Sequence, residues 1–164
     1  MLFMTRLEEA LASLRRPDMR DLKETLSAVG CTPRQAEPHV AQPDRLPYGR
    51  TVLFRNTEVE AILVHLPART GTFIHDHGDS LGCAIVVEGE LINTVFRTDG
   101  RGDAIYASEE RVRSGQCLSA PAGLIHRMRN PGAGRTVSLH LYAPPLTGTK
   151  TYAEADEYVL DYVI

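Results

Sequence analysis

The chain has 164 residues, 43% hydrophobic and 24% charged, with a formal net charge of −3, an ordinary balance for one globular domain with a sizeable core. That charge excludes a basic nucleic-acid footprint, and no run of about 18 apolar residues offers a membrane span. Three scattered cysteines, Cys31, Cys83 and Cys117, give neither a disulfide framework nor a paired-cysteine zinc motif. The opening MLFMTRLEEALASLRR lacks the basic-then-apolar order of a secretory leader, so a reducing cytoplasm is the expected setting. Thr5 and Glu8 have capping-box spacing, and Leu7, Ala10, Leu11 and Leu14 follow at helical intervals. A second helix is predicted from about Asp18 to Val29 on the stripe Leu22, Leu26 and Val29, with Gly30 as its stop. Thr32-Pro33 opens a short third turn, after which Pro38, Pro43 and Pro47 make the chain extended.

From about Tyr48 the pattern changes to short strands: TVLF, AILVHL, CAIVVEG, LINTVF, TVSLHLYAPP and YVLDYVI. Turn signals separate several of them, at Arg55-Asn56-Thr57, Thr98-Asp99-Gly100, Ser114-Gly115 and Asn130-Pro131-Gly132. Strands without intervening helices imply a mainly β, antiparallel barrel or sandwich. With no repeat and no linker, residues 1–164 read as a single domain. Residues 1–40 are its helical segment, packed outside, and residues 48–164 its β part.

His75-Asp76-His77 is the first chemical signal. On a strand, residues i and i+2 share a face, so both imidazoles point inward and Asp76 points away. Two such rings suit Fe, Zn, Cu or Ni. The second signal is GQCLSAPAGLIHRMRN, residues 115–130, similar to the second cupin motif at Gly115, Pro121, Gly123, His126 and Asn130. The resemblance implies a cupin, or jelly-roll type, β-barrel in which His126 joins the histidine pair. Cupins usually add a glutamate four or five residues after the second histidine, where this chain has Leu81 and Gly82. Asp79 lies in a loop-like stretch and Glu88 lies far along the next strand. Three neutral imidazoles leave a divalent ion its full charge and about three open octahedral positions, a site that favours an anionic chelating ligand.

Two further patterns converge. In SLHLYAPP, residues 138–145, Ser138, His140 and Tyr142 alternate on one strand face, and Tyr48-Gly49-Arg50 places Tyr48 and Arg50 together on another. With HDHGDSLGCAIVVEGEL these motifs resemble the cysteine dioxygenase family, especially its bacterial members, over about residues 48–145. The resemblance implies Fe(II) held by His75, His77 and His126, and a substrate carboxylate paired with Arg50 beside Tyr48. Tyr142 would place its hydroxyl over the iron, oriented by His140, with Ser138 supporting His140. The implied reaction is oxidation of L-cysteine by O₂ to cysteine sulfinate. Animal members carry a cysteine thioether-linked to the tyrosine; here that position is Gly82, as in bacterial members, so no Cys–Tyr crosslink is expected.

The expected partners are a small thiol and O₂, with no nucleic acid, no membrane and a monomeric chain. Cys83 and Cys117 are read as small core residues, His65 and His39 as structural or solvent-facing, and Met128 and Leu81 as pocket-lining. A dioxygenase of another thiol, such as 3-mercaptopropionate, is the nearest competing function. A non-oxidative cupin isomerase or a small-molecule sensor is more remote, and three histidines alone do not select the metal.

Overall fold

Phe3, Leu7 and Leu11 recur every fourth residue and are all buried, and this row organises α1, Phe3–Ala12, in the computed structural model, which describes residues 2–155. The helix starts ahead of the expected Thr5–Glu8 capping box: Leu2 is the N-cap, with no side-chain bond. Burial of Phe3 draws the first turn forward and leaves Thr5 inside the helix. In α2, Met19–Val29, Asp18 and Asp21 form a capping box, while Leu22, Leu26 and Val29 are buried. Gly30 ends it at φ 53°, a conformation that favours glycine. Thr32 and Gln35 cap the single turn of α3, Pro33–Ala36, which runs into a 3-10 turn, Glu37–His39.

Among the described residues the strands are β1 Gly49–Arg55, β2 Glu60–Leu66, β3 Leu81–Glu88, β4 Glu90–Thr98, β5 Ala104–Arg113, β6 Cys117–Ala120, β7 Ile125–Arg129 and β8 Thr136–Ala143. They form two antiparallel sheets, β1-β2-β8-β3-β6 and β5-β4-β7. The expected strand YVLDYVI, 158–164, lies outside the described residues. β5 was not among the expected strands. It is an edge strand, largely exposed, so AIYASEERVR carries no apolar alternation.

The large sheet is buried on both faces. Its outer face packs Ala61, Leu63, Cys83, Val137, Leu139 and Leu141 against Leu7, Leu11, Leu22 and Leu26 of the helices. Its inner face carries Ile62, Val64, Ala84, Val86 and Tyr142, which meet Leu91, Val112 and Met128 from the small sheet's strands. All eight residues of β8 are buried, as expected of a central strand covered on both sides. Cys117 departs from its expected core position: it is exposed at the start of the edge strand β6, whereas Cys83 is buried. Arg135 is held by Glu88 and Glu37, an ion pair on each side that ties the helical segment to the barrel.

Candidate metal centre

The segment before His77 is sewn to β7. Isolated bridges join Gly71 to Arg129 and His75 to His126, with His75 N donating to His126 O at 3.0 Å and His126 N to His75 O at 2.9 Å. This pairing brings the distal histidine beside the pair. The strand expected at residues 75–77 is not formed: His75 makes isolated bridges to His126 and Thr151, residues 76 and 77 lie outside any strand, and Asp76 is held by accepting from Gly78 N, Lys150 N and the Tyr152 hydroxyl.

Three imidazole nitrogens then converge. His77 Nε2 lies 3.2 Å from His75 Nε2 and 3.2 Å from His126 Nε2. The opposite nitrogens decide the tautomers: His75 Nδ1 donates to Phe73 O at 2.8 Å, and His126 Nδ1 to Asn93 Oδ1 at 2.7 Å. With both protons on Nδ1, His75 and His126 each present a bare Nε2 lone pair. One His77 Nε2–H satisfies at best one of two such neighbours, so the cluster is self-repelling until a cation enters. The 3.2 Å edges suit a polyhedron with metal–nitrogen bonds of about 2.1 Å, and the donor set therefore fits a divalent transition metal.

Electrostatics keeps the donors neutral. Burial, then the neighbouring His75, pushes His77 down to about 4. Burial drives His126 well below the usual imidazole range, and His75 is lowered for the same main reason. Among the described residues no carboxylate belongs to this cluster.

On β8, Ser138, His140 and Tyr142 form a buried chain. Ser138 Oγ lies 2.7 Å from His140 Nε2, and His140 Nδ1 lies 3.1 Å from the Tyr142 hydroxyl. Burial holds His140 neutral, down to about 3, and raises the Tyr142 phenol above its ordinary value. If Ser138 donates to Nε2, His140 donates from Nδ1 and the tyrosine proton is free to point elsewhere. The Tyr142 ring sits 4.8 Å from that of His77. Gly82 lies against the other side: a Cβ there would come within 2.7 Å of the Tyr142 ring. Gly82→Ala is therefore expected to overpack the site and to lower stability by about 1–3 kcal/mol in urea unfolding, with metal binding retained. An unchanged midpoint would show that the ring yields freely.

A cavity of about 540 Å³ opens beside His75 and His77, lined also by Tyr48, Arg50, Phe73 and Lys150. Tyr48 and Arg50 thus line the same cavity as His75 and His77. Met128 and Leu81 do not: Met128 packs in the inner core and Leu81 against the outer one, because the cavity opens at the barrel end that holds β1 and the 146–151 loop. His65 is structural, its Nδ1 bound to Ala41 O at 2.8 Å, and His39 packs on Phe3.

Two polar residues were not singled out from the sequence. Asn93 is buried and orients His126. Glu60 is buried and meets Arg50 at 3.4 Å, Arg55 at 3.3 Å and Leu146 N at 2.9 Å. Its shared parity with Ile62 and Val64, both inward, was the available signal.

The sequence model of the family "Cysteine dioxygenase type I" matches residues 21–155. The chain is 38% identical over 80 residues to cysteine dioxygenase type 1 of Rattus norvegicus and of Mus musculus, covering 46% of this chain. The match spans 40% of the length of those curated relatives. Its fold is similar to an uncharacterized protein with a double-stranded β-helix domain from Klebsiella pneumoniae, with TM-score 0.57, 18% identity, and coverage of 73% of this chain and 95% of that one. A similar likeness holds to an oxalate oxidase in complex with glycolate, with TM-score 0.52, 20% identity, and coverage of 68% and 59%. At these identities the likeness is one of fold, the double-stranded β-helix of cupins.

Proposed function

Since this chain belongs to the cysteine dioxygenase type I family, we propose that it is an Fe(II)-dependent thiol dioxygenase that oxidises L-cysteine with O₂ to cysteine sulfinate. The observation that carries the reading is the carboxylate-free triangle of Nε2 atoms beside a cavity that also holds an arginine. An iron held by His75, His77 and His126 would supply the redox chemistry that adds both atoms of O₂ to the substrate sulfur.

The remaining work falls to the chain's own side chains. Arg50 presents a planar fork to the substrate carboxylate, and Tyr48 flanks it. Tyr142 stays a protonated phenol at neutral pH because burial raises it, so it can donate a hydrogen bond into the site. His140, itself neutral, fixes the direction of that proton, and Ser138 fixes the tautomer of His140. Gly82 brings no sulfur to the Tyr142 ring, so the reading includes no thioether crosslink. Among the described residues Cys31, Cys83 and Cys117 are free thiols, which suits a reducing compartment. No helix of the described residues is long and apolar enough to cross a membrane.

The test is anaerobic loading with Fe(II), then O₂ uptake and sulfinate formation with L-cysteine and, separately, 3-mercaptopropionate. Cysteine is expected to be preferred. Arg50→Gln removes a charge pair to a carboxylate, about 2–5 kcal/mol, and should lower kcat/KM by roughly 30-fold or more. The second thiol also carries a carboxylate, so it meets the same Arg50, and a preference for it would overturn the choice of substrate. No turnover of either thiol with iron bound would overturn the chemistry.

A further inference from the structure

Arg50 stands at the wrong end of its strand for the contact it makes. On the β1–β2 ladder Arg50 pairs with Val64, four residues from Glu60, whereas Glu60 faces Arg55 on one side and Tyr142 of β8 on the other. To reach Glu60 Oε1 at 3.4 Å, the Arg50 side chain runs along the inner face toward the Tyr142 end of the sheet. There Glu60 is almost fully buried, 1% exposed at its side chain, while Arg50 keeps 36% exposure and still lines the cavity.

The carboxylate is fully engaged. Its Oε1 takes Arg50, and its Oε2 takes Arg55 and the Leu146 backbone N–H, while Arg55 also donates to Leu146 O at 3.4 Å. Two guanidinium groups around one carboxylate leave a single unit of positive charge, the complement of one substrate carboxylate. A buried carboxylate without cations is strongly unfavourable, so the cluster stands or falls together.

We propose that Glu60 is a positioning residue for substrate selection: it draws Arg50 along the sheet and holds its guanidinium beside Tyr142, ready for the carboxylate of a thiol substrate. This rests on the thiol dioxygenase reading of the same site. Glu60 touches neither substrate nor metal ligand and acts through Arg50.

Glu60→Gln is the discriminating variant. Its one amide oxygen is claimed by Leu146 N and Arg55, so its NH₂ group turns toward Arg50 and repels it. The Kd of L-cysteine for the anaerobic Fe(II)-loaded protein, measured by calorimetry, should rise about tenfold, the lower end for a lost supporting contact. Binding of cysteamine, which has no carboxylate, should stay within about twofold. In an Arg50→Gln background, Glu60→Gln should add nothing. Equal losses for both thiols, an unchanged cysteine Kd, or additive losses would overturn the proposal. A second measurement needs neither Glu60→Gln nor thiol binding. In the substrate-free wild-type protein the Arg50 guanidinium Nη–H signals, identified by comparison with Arg50→Lys, should be resolved by restricted rotation. Fully averaged signals would overturn the proposal. If no thiol binds while these signals are resolved, the function reading fails and the Glu60–Arg50 arrangement stands.

Discussion

His77→Ala is expected to yield a folded barrel that no longer keeps its metal. His77 is the hub of the triangle, its Nε2 being 3.2 Å from both partner nitrogens, and its ring is 2% exposed. Loss of a mere supporting partner weakens metal affinity about 10–100-fold, so loss of the hub ligand should exceed a hundredfold. The same truncation removes the ring that packs 4.8 Å from Tyr142. Turnover should therefore fall below about one thousandth of wild type. Metal content after desalting and O₂ uptake are the readouts, with the urea midpoint as the folding control. Full metal retention with turnover within tenfold of wild type would show that two histidines suffice and would remove His77 from the centre.

Acid should unfold the metal-free protein within a narrow window. His77 is depressed to about 4 by burial and then by His75. His140 is depressed to about 3 by burial and then by its histidine neighbours. His126 is also held well down, again chiefly by burial. In the unfolded chain each imidazole titrates near about 6.5, so below that pH the unfolded state binds more protons than the folded one. Stability is then fully present above about pH 6.5 and is lost as pH falls toward the folded values. Three histidines give a slope of up to about 4 kcal/mol per pH unit between pH 6 and 4.5, enough to exhaust a domain of ordinary stability. The urea midpoint measured from pH 7.5 to 4.5 checks this. A flat midpoint down to pH 5 would mean that these rings are already charged or solvated in the folded state. Metal should leave over the same range, because protons compete for the same Nε2 lone pairs.

The parts of the site that share a short stretch of chain were the most legible. His75 and His77 stand two residues apart, Ser138, His140 and Tyr142 share a strand face, and His126 came from the resemblance of Gly115 to Asn130 to the second cupin motif. Asn130 has a local use, accepting from Gly132 N and donating to Gly134 O at the corner after β7, and a distant one, its Nδ2 also donating to the Leu66 and Pro67 carbonyls. Glu60 and Asn93 were not legible, since their roles depend on which strands lie side by side. Asn93 meets His126 only because β4 pairs with β7, 33 residues later. Polar residues inside apolar strands look like defects until their partners are known. β5 escaped for the opposite reason: an exposed edge needs no apolar rhythm, so its strand character comes from its pairing with β4 and, at Ala104, with residues 153–155. The displaced start of α1 shows burial of one phenylalanine outweighing a capping pattern.

The placement of β8 sets an order of events during synthesis. It lies between β2 and β3, yet it follows every other described strand in the chain. A nascent chain that ends before residue 136 has the two neighbours of that slot and nothing to fill it, and their ladders face no partner. His126 can meet His75 earlier, through β7, but Tyr142, His140 and the inner wall arrive only with β8. Contacts between such distant parts of a chain make folding slow relative to local helix formation. The cavity wall is therefore completed only once residues 136–143 have left the ribosome, whatever has already folded before them.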